Sequence, residues 1–325
     1  MSDVLLFREG DVRAALDMPS LIDAMAAAFE AYSSGRAELP NVIHLAVPES
    51  NGEIHVKAGH LHGADRYAIK VVSGFTAGEE TVYDGLVLVF DAADGRLSAI
   101  LLDGGYLTDV RTAGAGGLAA RLLAPETVRT VAVLGTGHQA RYQLDALAAV
   151  RSFDRVRLWG RNSERAAAAV DDLRDRGLPA GEVATASTPE DAVRGADVVI
   201  TCTASTRPLV RADWIEPGMH VTAVGSDAPS KQELEPEILA RARVVAVDGR
   251  DQAVRLGELH HAVEAGLLRV DDAIELGEIL ARRERGRRSP DDITVADLTG
   301  VGVQDVAAAA LVLDRATVRV DRISR

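Results

Sequence analysis

The 325-residue sequence is poor in several features that would set its location or its partners. It has one cysteine, so a disulfide framework is excluded and a cytoplasmic location is expected. No run approaches the roughly 18 apolar residues of a membrane span, and the acidic start lacks the apolar core of a signal peptide. Basic residues are in deficit, 36 against 49 acidic ones, and the net charge of −13 argues against nucleic acids or anionic membranes as partners.

Metal-binding and nucleophilic patterns are also scarce. No group of cysteines and histidines has the spacing of a zinc site, and we expect neither His60 with His62 nor His260 with His261 to bind a metal. The single thiol, Cys202, ends an apolar run that is typical of a buried strand. It is better interpreted as a small core residue than as a nucleophile.

One stretch, TVAVLGTGHQAR at 130–141, organises the rest of the chain. Its β-branched apolar run predicts a strand buried on both faces, and helix-forming residues follow its glycines. The G-x-G-x-x-A spacing between strand and helix is that of a dinucleotide-binding turn, whose helix N-terminus attracts phosphates. The alternative is a turn whose glycines only serve packing. The candidate cofactor-binding residues here are Gly135, Thr136, Gly137, His138, Gln139 and Ala140.

The chain before this turn predicts a helix followed by an antiparallel sheet. Apolar residues at helical spacing predict a helix over 11–34, ended by Gly35. Strands are predicted at 42–47, 54–58, 67–73, 86–91 and 96–102, with hairpin turns at 51–52 and 93–95. A helix over 106–123 has several glycines in its middle, which we expect to admit another backbone or a ligand.

From residue 130 onwards, strands and helices alternate. Strands are predicted at 130–134, 156–159, 182–184, 198–202, 219–224, 244–248 and 293–297. Helices are predicted at 140–150, 163–176, 189–194, 251–265, 272–283 and 303–316, with Thr188 as the N-cap of the third. This alternation predicts an α/β fold, a Rossmann-type doubly wound parallel sheet with helices on both faces.

Five blocks of the sequence together resemble the ornithine cyclodeaminase/mu-crystallin family. They are AIKVVSGF around Lys70, LTDVRTAGA at 107–115, VLGTGHQAR at 133–141, VGSDAPSKQEL at 224–234 and TGVGVQDVAAA at 299–309. The resemblance implies a homodimer with an α+β domain at 1–117, to which 302–325 returns, that binds substrate and dimerises through its sheet. It also implies a Rossmann dinucleotide-binding domain at 118–301.

The resemblance further implies that hydride passes between a nicotinamide and the α-carbon of a 2-amino, 2-imino or 2-oxo acid. A small carboxylate needs a cationic clamp, and Lys70 and Arg111 match it, although each could be a surface charge or half of an ion pair. Lys70 stands in an apolar run, where lysine is rare unless paired. Asp227 follows a predicted strand, at the sheet edge where ligands bind, and matches the family's acid/base. Its alternative role is to cap the next turn.

Lys70 and Asp227 are therefore the candidate catalytic residues, and Arg111 is a candidate substrate-binding residue. Four further positions resemble those that help hold the cofactor in the family: Thr81, Ser226, Lys231 and Thr299.

Departures from the family pattern bear on the substrate. The arginine usually found near Pro40 is missing, and the glutamate that receives the distal ammonium in ornithine enzymes is replaced by His55 or Lys57. The loop 76–84 is also shorter than usual. Glu53, His55 and Lys57 share one face of a strand, so His55 and Lys57 are candidate substrate-binding residues. Because Glu53 lies on the same face, a cationic substrate is not excluded. The pattern favours a 2-imino or 2-oxo acid, with a dicarboxylate among the candidates, over ornithine.

The end of the second predicted strand bears on cofactor choice. It reads LWGRNS at 158–163, with no acid to accept hydrogen bonds from ribose hydroxyls and with Arg161 in place for a 2′-phosphate. The cofactor is therefore expected to be NAD(P), with NADP favoured over NAD and with Arg161 and Asn162 as contacts. Arg161 could instead stack on the adenine of either.

Three functions remain open at this point. The first is an NAD(P)H-dependent imine (ketimine) reductase or amino-acid dehydrogenase acting on a small 2-imino or 2-oxo acid. The second is an ornithine-type cyclodeaminase, which releases ammonia and recycles its hydride through NAD. The third is a non-enzymatic nucleotide-binding protein like the crystallin branch of the family, against which the presence of Asp227 counts, because that branch lacks this acid.

Overall fold

A computed structural model describes residues 3–78, 80–282, 285–316 and 320–323, without the side chains of residues 80 and 81. The strands are β1 (Val4–Arg8), β2 (Ala37–Glu38), β3 (Ile43–Val47), β4 (Gly52–Leu61), β5 (Arg66–Ala77), β6 (Glu80–Asp91), β7 (Leu97–Leu102), β8 (Thr130–Leu134), β9 (Arg155–Trp159), β10 (Glu182–Thr185), β11 (Val198–Thr201), β12 (Thr206–Val210), β13 (His220–Ala223), β14 (Gln232–Leu234), β15 (Val244–Val247), β16 (Ile274–Glu275), β17 (Thr294–Asp297) and β18 (Asp321–Ile323). The helices are α1 (Glu9–Ala15), α2 (Met18–Ser33), α3 (Tyr106–Leu123), α4 (His138–Ala148), α5 (Ser163–Asp175), α6 (Pro189–Val193), α7 (Pro236–Arg241), α8 (Arg250–Leu256), α9 (Glu258–Glu264), α10 (Leu276–Ala281) and α11 (Gly302–Arg315).

The chain divides into two compact units. The first comprises Met1–Arg111 with Val301–Arg325, and the second comprises Thr112–Gly300. Helix α3 continues across the first boundary, and α11 begins just after the second. The domain boundaries expected from the family resemblance, at 117/118 and 301/302, remain predictions.

The first unit is built on a sheet with strand order β18-β1-β7-β6-β5-β4-β2, to which β3 is joined through β4. Successive strands from β3 to β7 pair antiparallel with one another, as predicted. Strand β1, which the sequence did not indicate, lies parallel to β7. The two predicted hairpin turns form, with Asn51 (φ +47°) between β3 and β4 and Gly95 (φ +72°) between β6 and β7.

Two predictions in the first unit are wrong. The helix expected over 11–34 is two helices, because the Asp17 carboxylate accepts a hydrogen bond from the backbone N–H of Ser20 (2.9 Å) and starts α2. The segment expected as a loop over 76–84 is strand at 76–77 and at 80–84, since β5 runs to Ala77 and β6 begins at Glu80. Thr81 therefore lies in a strand, and its side chain lies outside the described residues.

Helix α11 packs on α2 and on strands β4 and β5. Glycines make this contact close: a Cβ at Gly302 would lie 2.7 Å from the carbonyl oxygen of Ala58, and one at Gly59 would lie 3.2 Å from Val306. Two polar residues of α11, Gln304 and Asp305, are thereby buried within the first unit.

The second unit is built on a parallel sheet of order β10-β9-β8-β11-β13-β17-β15-β16. Strand β8 is buried throughout, with Val131 and Val133 in one hydrophobic cluster and Ala132 and Leu134 in another. Because alternate side chains of a strand point to opposite faces, both faces of the sheet are covered. The doubly wound parallel sheet predicted from the sequence is confirmed.

Gly116 of helix α3 makes room for a side chain of α4. A Cβ at Gly116 would lie 1.8 Å from Oε1 of Gln143, whose amide nitrogen donates to the carbonyl oxygen of Thr112 (3.1 Å). The glycine therefore makes room for a buried side chain of α4, not for a backbone.

The helices predicted in the second unit agree with the structure at some of their ends and differ at others. Thr188 caps α6 as predicted, with Oγ1 accepting from the N–H of Asp191 (3.0 Å). The helix expected over 251–265 is two helices divided at Gly257, and the one expected over 272–283 shortens to α10, its predicted last residue lying outside the described residues. No helix among the described residues is long and apolar enough to cross a membrane.

Candidate active site

The first unit contains a buried cluster of charges around Asp305. Nζ of Lys70, on β5, donates to Oδ1 of Asp305 (3.0 Å), and Nε of Arg111, on α3, donates to the same oxygen (2.9 Å). Nη1 of Arg111 also donates to Oε1 of Gln304 (2.9 Å). All four side chains are buried, and Lys70 and Arg111 are each 3% exposed. The structure thus brings the two predicted carboxylate-binding cations together.

Burial and neighbouring charges shift the ionisation of this cluster. Burial, and then the charge of Arg111, lowers the pKa of Lys70 to about 7, although Asp305 opposes the shift. Burial alone would raise the pKa of Asp305, but the charges of Arg111, Lys70 and Lys57 outweigh it and hold that pKa below its usual range. Asp305 is therefore an anion that keeps two cations in place.

The cluster carries more positive than negative charge. Two cations share one oxygen of Asp305, and among the described residues the other oxygen, Oδ2, is buried without a hydrogen-bond partner. Eight N–H donors of a lysine and an arginine exceed what one carboxylate oxygen and one amide accept. The surplus of charge and donors suits a small carboxylate ligand.

The structure places the other two predicted substrate-binding residues differently. Lys57, on β4, lies directly opposite Lys70 in the ladder, and its charge acts on Asp305. His55 instead lies beside Glu53 and His44, with its ring centroid 4.8 Å from that of His44. Lys57 thus belongs with the Asp305 cluster, and His55 belongs with a second polar group.

The glycine turn after β8 has the conformation that the motif requires. Gly135 has φ +133°, and a Cβ there would lie 2.6 Å from Sγ of Cys202, so only glycine fits. Gly137 is the N-cap of α4, and a Cβ there would meet nothing within 4 Å. Ala140 is fully buried and lets α4 pack on the sheet.

These features fit a dinucleotide. The backbone around Gly137 is exposed, and the first N–H groups of α4 lie beside it, as pyrophosphate binding requires. Thr136 and Gln139 are half-buried and His138 is exposed, so their side chains border the same turn.

In a dinucleotide-binding fold, residues that follow the second strand contact the ribose of the adenosine. The residues in the corresponding place here follow β9. Arg161 is exposed, as a contact to a 2′-phosphate would need. Asn162 has a structural task, because its side chain caps α5 by accepting from the N–H of Arg165 (3.0 Å). Gly160 is required before them, since a Cβ there would lie 2.3 Å from Cγ2 of Thr136.

The loop after β13 carries Asp227 at the carboxyl edge of the parallel sheet. Its carboxylate is exposed and accepts a hydrogen bond from Nζ of Lys231 (2.5 Å). Ser226 is buried, and its hydroxyl donates to the carbonyl oxygens of Lys231 (2.7 Å) and Leu256 (3.3 Å). Ser226 therefore shapes the loop, and Lys231 is the partner of the predicted acid/base.

Thr299, in the loop after β17, is buried beside Asp248. Its hydroxyl donates to Oδ1 of Asp248 (3.0 Å) and accepts from Nε2 of Gln252 (2.9 Å). The predicted cofactor contact is therefore already hydrogen bonded within the second unit.

Glu233, a residue that the sequence did not single out, links two loops at this edge. Its carboxylate accepts from Oγ1 of Thr201 (2.8 Å), from the N–H (2.6 Å) and Oγ1 (2.7 Å) of Thr203, and from the N–H of Gly225 (2.9 Å). Burial raises its pKa, although these hydrogen bonds oppose the shift. By holding Gly225, Glu233 positions the loop that carries Asp227.

Asp305 and Gln304 were likewise missed, although a signal was present. They stand together in VQDVAAAALV, an otherwise apolar helix, and a buried carboxylate in such a setting must be paired.

The remaining sequence-based candidates are the thiol of Cys202 and the histidines, for which the sequence predicted neither a nucleophile nor a metal site. Burial raises the pKa of the Cys202 thiol, as does Glu233, which opposes formation of a nucleophilic thiolate. Ligand atoms of two groups lie close together: His44, Glu53 and His55 form one, and His260, His261 and Glu264 form the other. The expectation that His260 and His261 bind no metal stays a prediction, and His60 and His62 belong to neither group.

Comparison with known proteins agrees with this architecture. The model of the ornithine cyclodeaminase/mu-crystallin family matches residues 3–319. A putative dehydrogenase of Rhizobium meliloti is 44% identical over 294 residues, which cover 89% of this chain and 88% of the relative.

Two solved structures are similar over nearly the whole chain. An archaeal alanine dehydrogenase dimer with bound NAD is 31% identical, with a TM-score of 0.89 and 99% of both chains covered. The iminosuccinate reductase of Paracoccus denitrificans in complex with NAD+ is 30% identical, with a TM-score of 0.87 and 97% of both chains covered. The sequence blocks, the fold and the family model agree, and the chain is a member of the ornithine cyclodeaminase/mu-crystallin family.

Proposed function

We propose that the chain uses NAD(P)H to reduce a small 2-imino acid, or the imine that a 2-oxo acid forms with ammonia or an amine by loss of water, and oxidises the corresponding 2-amino acid in reverse. The observation that carries this proposal is the buried pair of Lys70 and Arg111 on one oxygen of Asp305, with its surplus of positive charge. The chain is an NAD(P)-dependent oxidoreductase of its family, and its glycine turn fits the dinucleotide.

In this proposal the named side chains have separate roles. Lys70 and Arg111 bind the substrate carboxylate and fix its orientation, and Asp305 holds both cations in place. When bound at the glycine turn, the nicotinamide supplies or accepts the hydride. Asp227 gives a proton to the imine nitrogen in reduction and takes one from the amine in oxidation, with Lys231 orienting its carboxylate.

A substrate with a second carboxylate is the class that we favour. Lys57 stands opposite Lys70 and adds a third cation to the same sheet face. The iminosuccinate reductase among the similar structures acts on a diacid. Replacing Lys57 by Met should therefore raise KM more for oxaloacetate than for pyruvate.

NADP is the cofactor that we favour over NAD. Arg161 is exposed after β9, and the segment 159–162 holds no acid to accept from a 2′-hydroxyl. Arg161→Ala should raise KM for NADPH about tenfold or more while changing KM for NADH little, because one charge-assisted contact to phosphate is worth about 1.5–3 kcal/mol. Equal effects on both cofactors would favour stacking on adenine.

The protein is also proposed to be a homodimer in the cytoplasm. Exposed apolar residues lie on the sheet of the first unit, on β3 (Ile43, 62%, and Leu45, 57%) and on β6 (Val82 and Tyr83, each 63%). Such residues on one sheet are typical of a protein interface, and the similar alanine dehydrogenase is a dimer.

The reductase is tested by nicotinamide absorbance. Purified protein is mixed with NADH or NADPH, with ammonia or methylamine, and with pyruvate, glyoxylate or oxaloacetate in turn. Ornithine with NAD is assayed alongside for ammonia. Oxidation of the reduced cofactor supports the proposal, whereas ammonia release from ornithine without a net absorbance change would establish a cyclodeaminase.

Asp227→Asn tests the acid/base role. The amide cannot deliver the proton, so we expect kcat to fall about a hundredfold or more, while nucleotide binding by fluorescence titration stays near that of the parent protein. Unchanged kcat would remove Asp227 from the mechanism. Arg66→Gln is a matched control for surface charge, since Arg66 forms an exposed ion pair with Asp314.

A further inference from the structure

Strands β3 and β4 carry two histidines and a glutamate on one face. His44 lies directly opposite His55 in the antiparallel ladder, and Glu53 precedes His55 by two residues. Opposite residues and residues two apart project from the same face of a sheet. One ligand atom of each side chain lies within 4.8 Å of the others.

Two of the distances within this group equal those between neighbouring ligands of a metal ion. Oε2 of Glu53 lies 3.3 Å from Nε2 of His44 and 3.4 Å from Nε2 of His55. The contact between His44 and Glu53 is a long hydrogen bond in the absence of an ion, since charge-assisted hydrogen bonds between nitrogen and oxygen are shorter, about 2.7–2.9 Å. In a tetrahedral zinc site with bonds of about 2.0–2.1 Å, neighbouring ligand atoms lie about 3.3–3.4 Å apart.

We propose that His44, Glu53 and His55 form a binding site for a divalent transition-metal ion, with Zn²⁺ as the best match. Two imidazoles and one carboxylate are typical zinc ligands, whereas Mg²⁺ and Ca²⁺ require mainly oxygen. The side chains are between 36% and 55% exposed, so an ion enters from solvent and keeps a coordination position for water.

The second histidine group, His260 and His261 with Glu264, differs because backbone carbonyl oxygens already contact its rings. One ring nitrogen of His260 contacts the carbonyl oxygen of Val254 (3.0 Å), and Nε2 of His261 contacts that of Lys231 (2.7 Å). These contacts hold both rings to backbone of the second unit. They leave fewer ring nitrogens for an ion than the β3–β4 group offers.

A bound ion would cross-link the hairpin. Among the described residues, β3 is joined to the sheet through β4 alone. Ligands from both strands would therefore tie β3 down, and binding to the folded chain alone would raise its thermal stability.

The test is direct metal binding by the full-length protein, purified without a polyhistidine tag and stripped with EDTA. Zn²⁺ alone is titrated by calorimetry, and Co²⁺ is used as a spectroscopic substitute whose visible absorption reports a low-coordinate site. We expect one ion per chain and a rise in Tm. His44→Ala and Glu53→Gln should each weaken affinity at least tenfold, since even outer partners of metal ligands contribute about 10–100-fold.

His260→Gln is the matched control and should bind zinc as the parent protein does. Absence of zinc binding by the parent protein would overturn the proposal, as would binding that both ligand variants retain, or a loss as large in the control. Two ligand variants on different strands keep the test valid if one of them fails to fold, and the cobalt spectrum of the parent protein needs no variant.

Discussion

Burial changes the ionisation of Lys70, and the role of this residue depends on that change. A lysine in water keeps its proton to about pH 10.4, whereas burial beside Arg111 lowers the pKa of Lys70 to about 7. The charge of Asp305 and its hydrogen bond to Lys70 oppose this fall. Near neutral pH the empty cluster is therefore poised between the charged and the neutral amine.

The substrate KM should rise as the pH increases through about 7. Free Lys70 loses its proton and its attraction for the carboxylate, while a bound carboxylate retains the proton and leaves kcat less affected. Lys70→Arg stays charged across the range, so its KM should be higher but should vary less with pH. Steady-state kinetics from about pH 6 to about pH 9 measures both. A parallel rise in KM in the variant would assign the titration to another group.

The lowered pKa of Lys70 also makes the free energy of unfolding depend on pH. Between about pH 7 and pH 10.5, the unfolded chain binds a proton at Lys70 that the folded chain does not bind. The contribution of Lys70 to the free energy of unfolding therefore increases as the pH rises across that window.

At the scale of elements, the division between α8 and α9 coincides with a carboxylate from a distant strand, because Asp297 accepts from an N–H in the first turn of α9 and leaves room only for glycine before it. Gly257 has φ −85° and ψ −171°, which most residues can adopt. A Cβ there, however, would lie 2.3 Å from Oδ2 of Asp297, which is buried and accepts from the N–H of Leu259 (2.9 Å). Burial raises the pKa of Asp297 to about 7, and a displaced carboxyl would lose the hydrogen bond from Leu259 that offsets this burial.

Gly257→Ala should destabilise the protein by roughly 1–3 kcal/mol, the usual cost of overpacking. Chemical denaturation measures the change in the free energy of unfolding. Gly10→Ala, in α1, is the control: a Cβ there meets nothing within 4 Å, so alanine should stabilise by about 0.5–1 kcal/mol. Similar effects of the two substitutions would show that Asp297 does not set the division.

At the scale of the whole molecule, the chain combines two units with different tasks. The first carries the cationic cluster and exposes apolar residues of β3, and the second carries the glycine turn and the Asp227 loop. The association of two chains is therefore expected to depend on the first unit.

A double substitution, Ile43→Lys with Leu45→Lys, should convert the proposed dimer to a monomer. Two lysines on one face of β3 would oppose association, because burying their charges in an interface costs free energy. Light scattering after gel filtration measures the mass. Leu267→Lys, at an exposed leucine of the second unit (40%), should leave the dimer intact. A single-chain mass for the parent protein would contradict the dimer, and a two-chain mass for the double variant would contradict the assigned surface.

Much of the framework could be predicted because it is local. The bounds of β8 and α3 agree with prediction to the residue, since burial periodicity and flanking turn residues set them. The glycine turn was recognisable because its residues are consecutive in sequence. Predictions failed where a carboxylate that accepts from the first turn of a helix, Asp17 from the adjoining residue or Asp297 from a distant strand, divides a continuous helical pattern.

By itself the sequence determined the parallel sheet, the glycine turn, and Lys70 and Arg111 as the cations to expect. Only the tertiary structure decided that Asp305 joins them, that Glu233 holds the Asp227 loop, and that His44 meets His55 and Glu53. The physical reason is sequence separation: Lys70 and Asp305 are 235 residues apart. No local pattern encodes that pairing, which arises when helix α11 packs on strands β4 and β5 and buries its carboxylate against them.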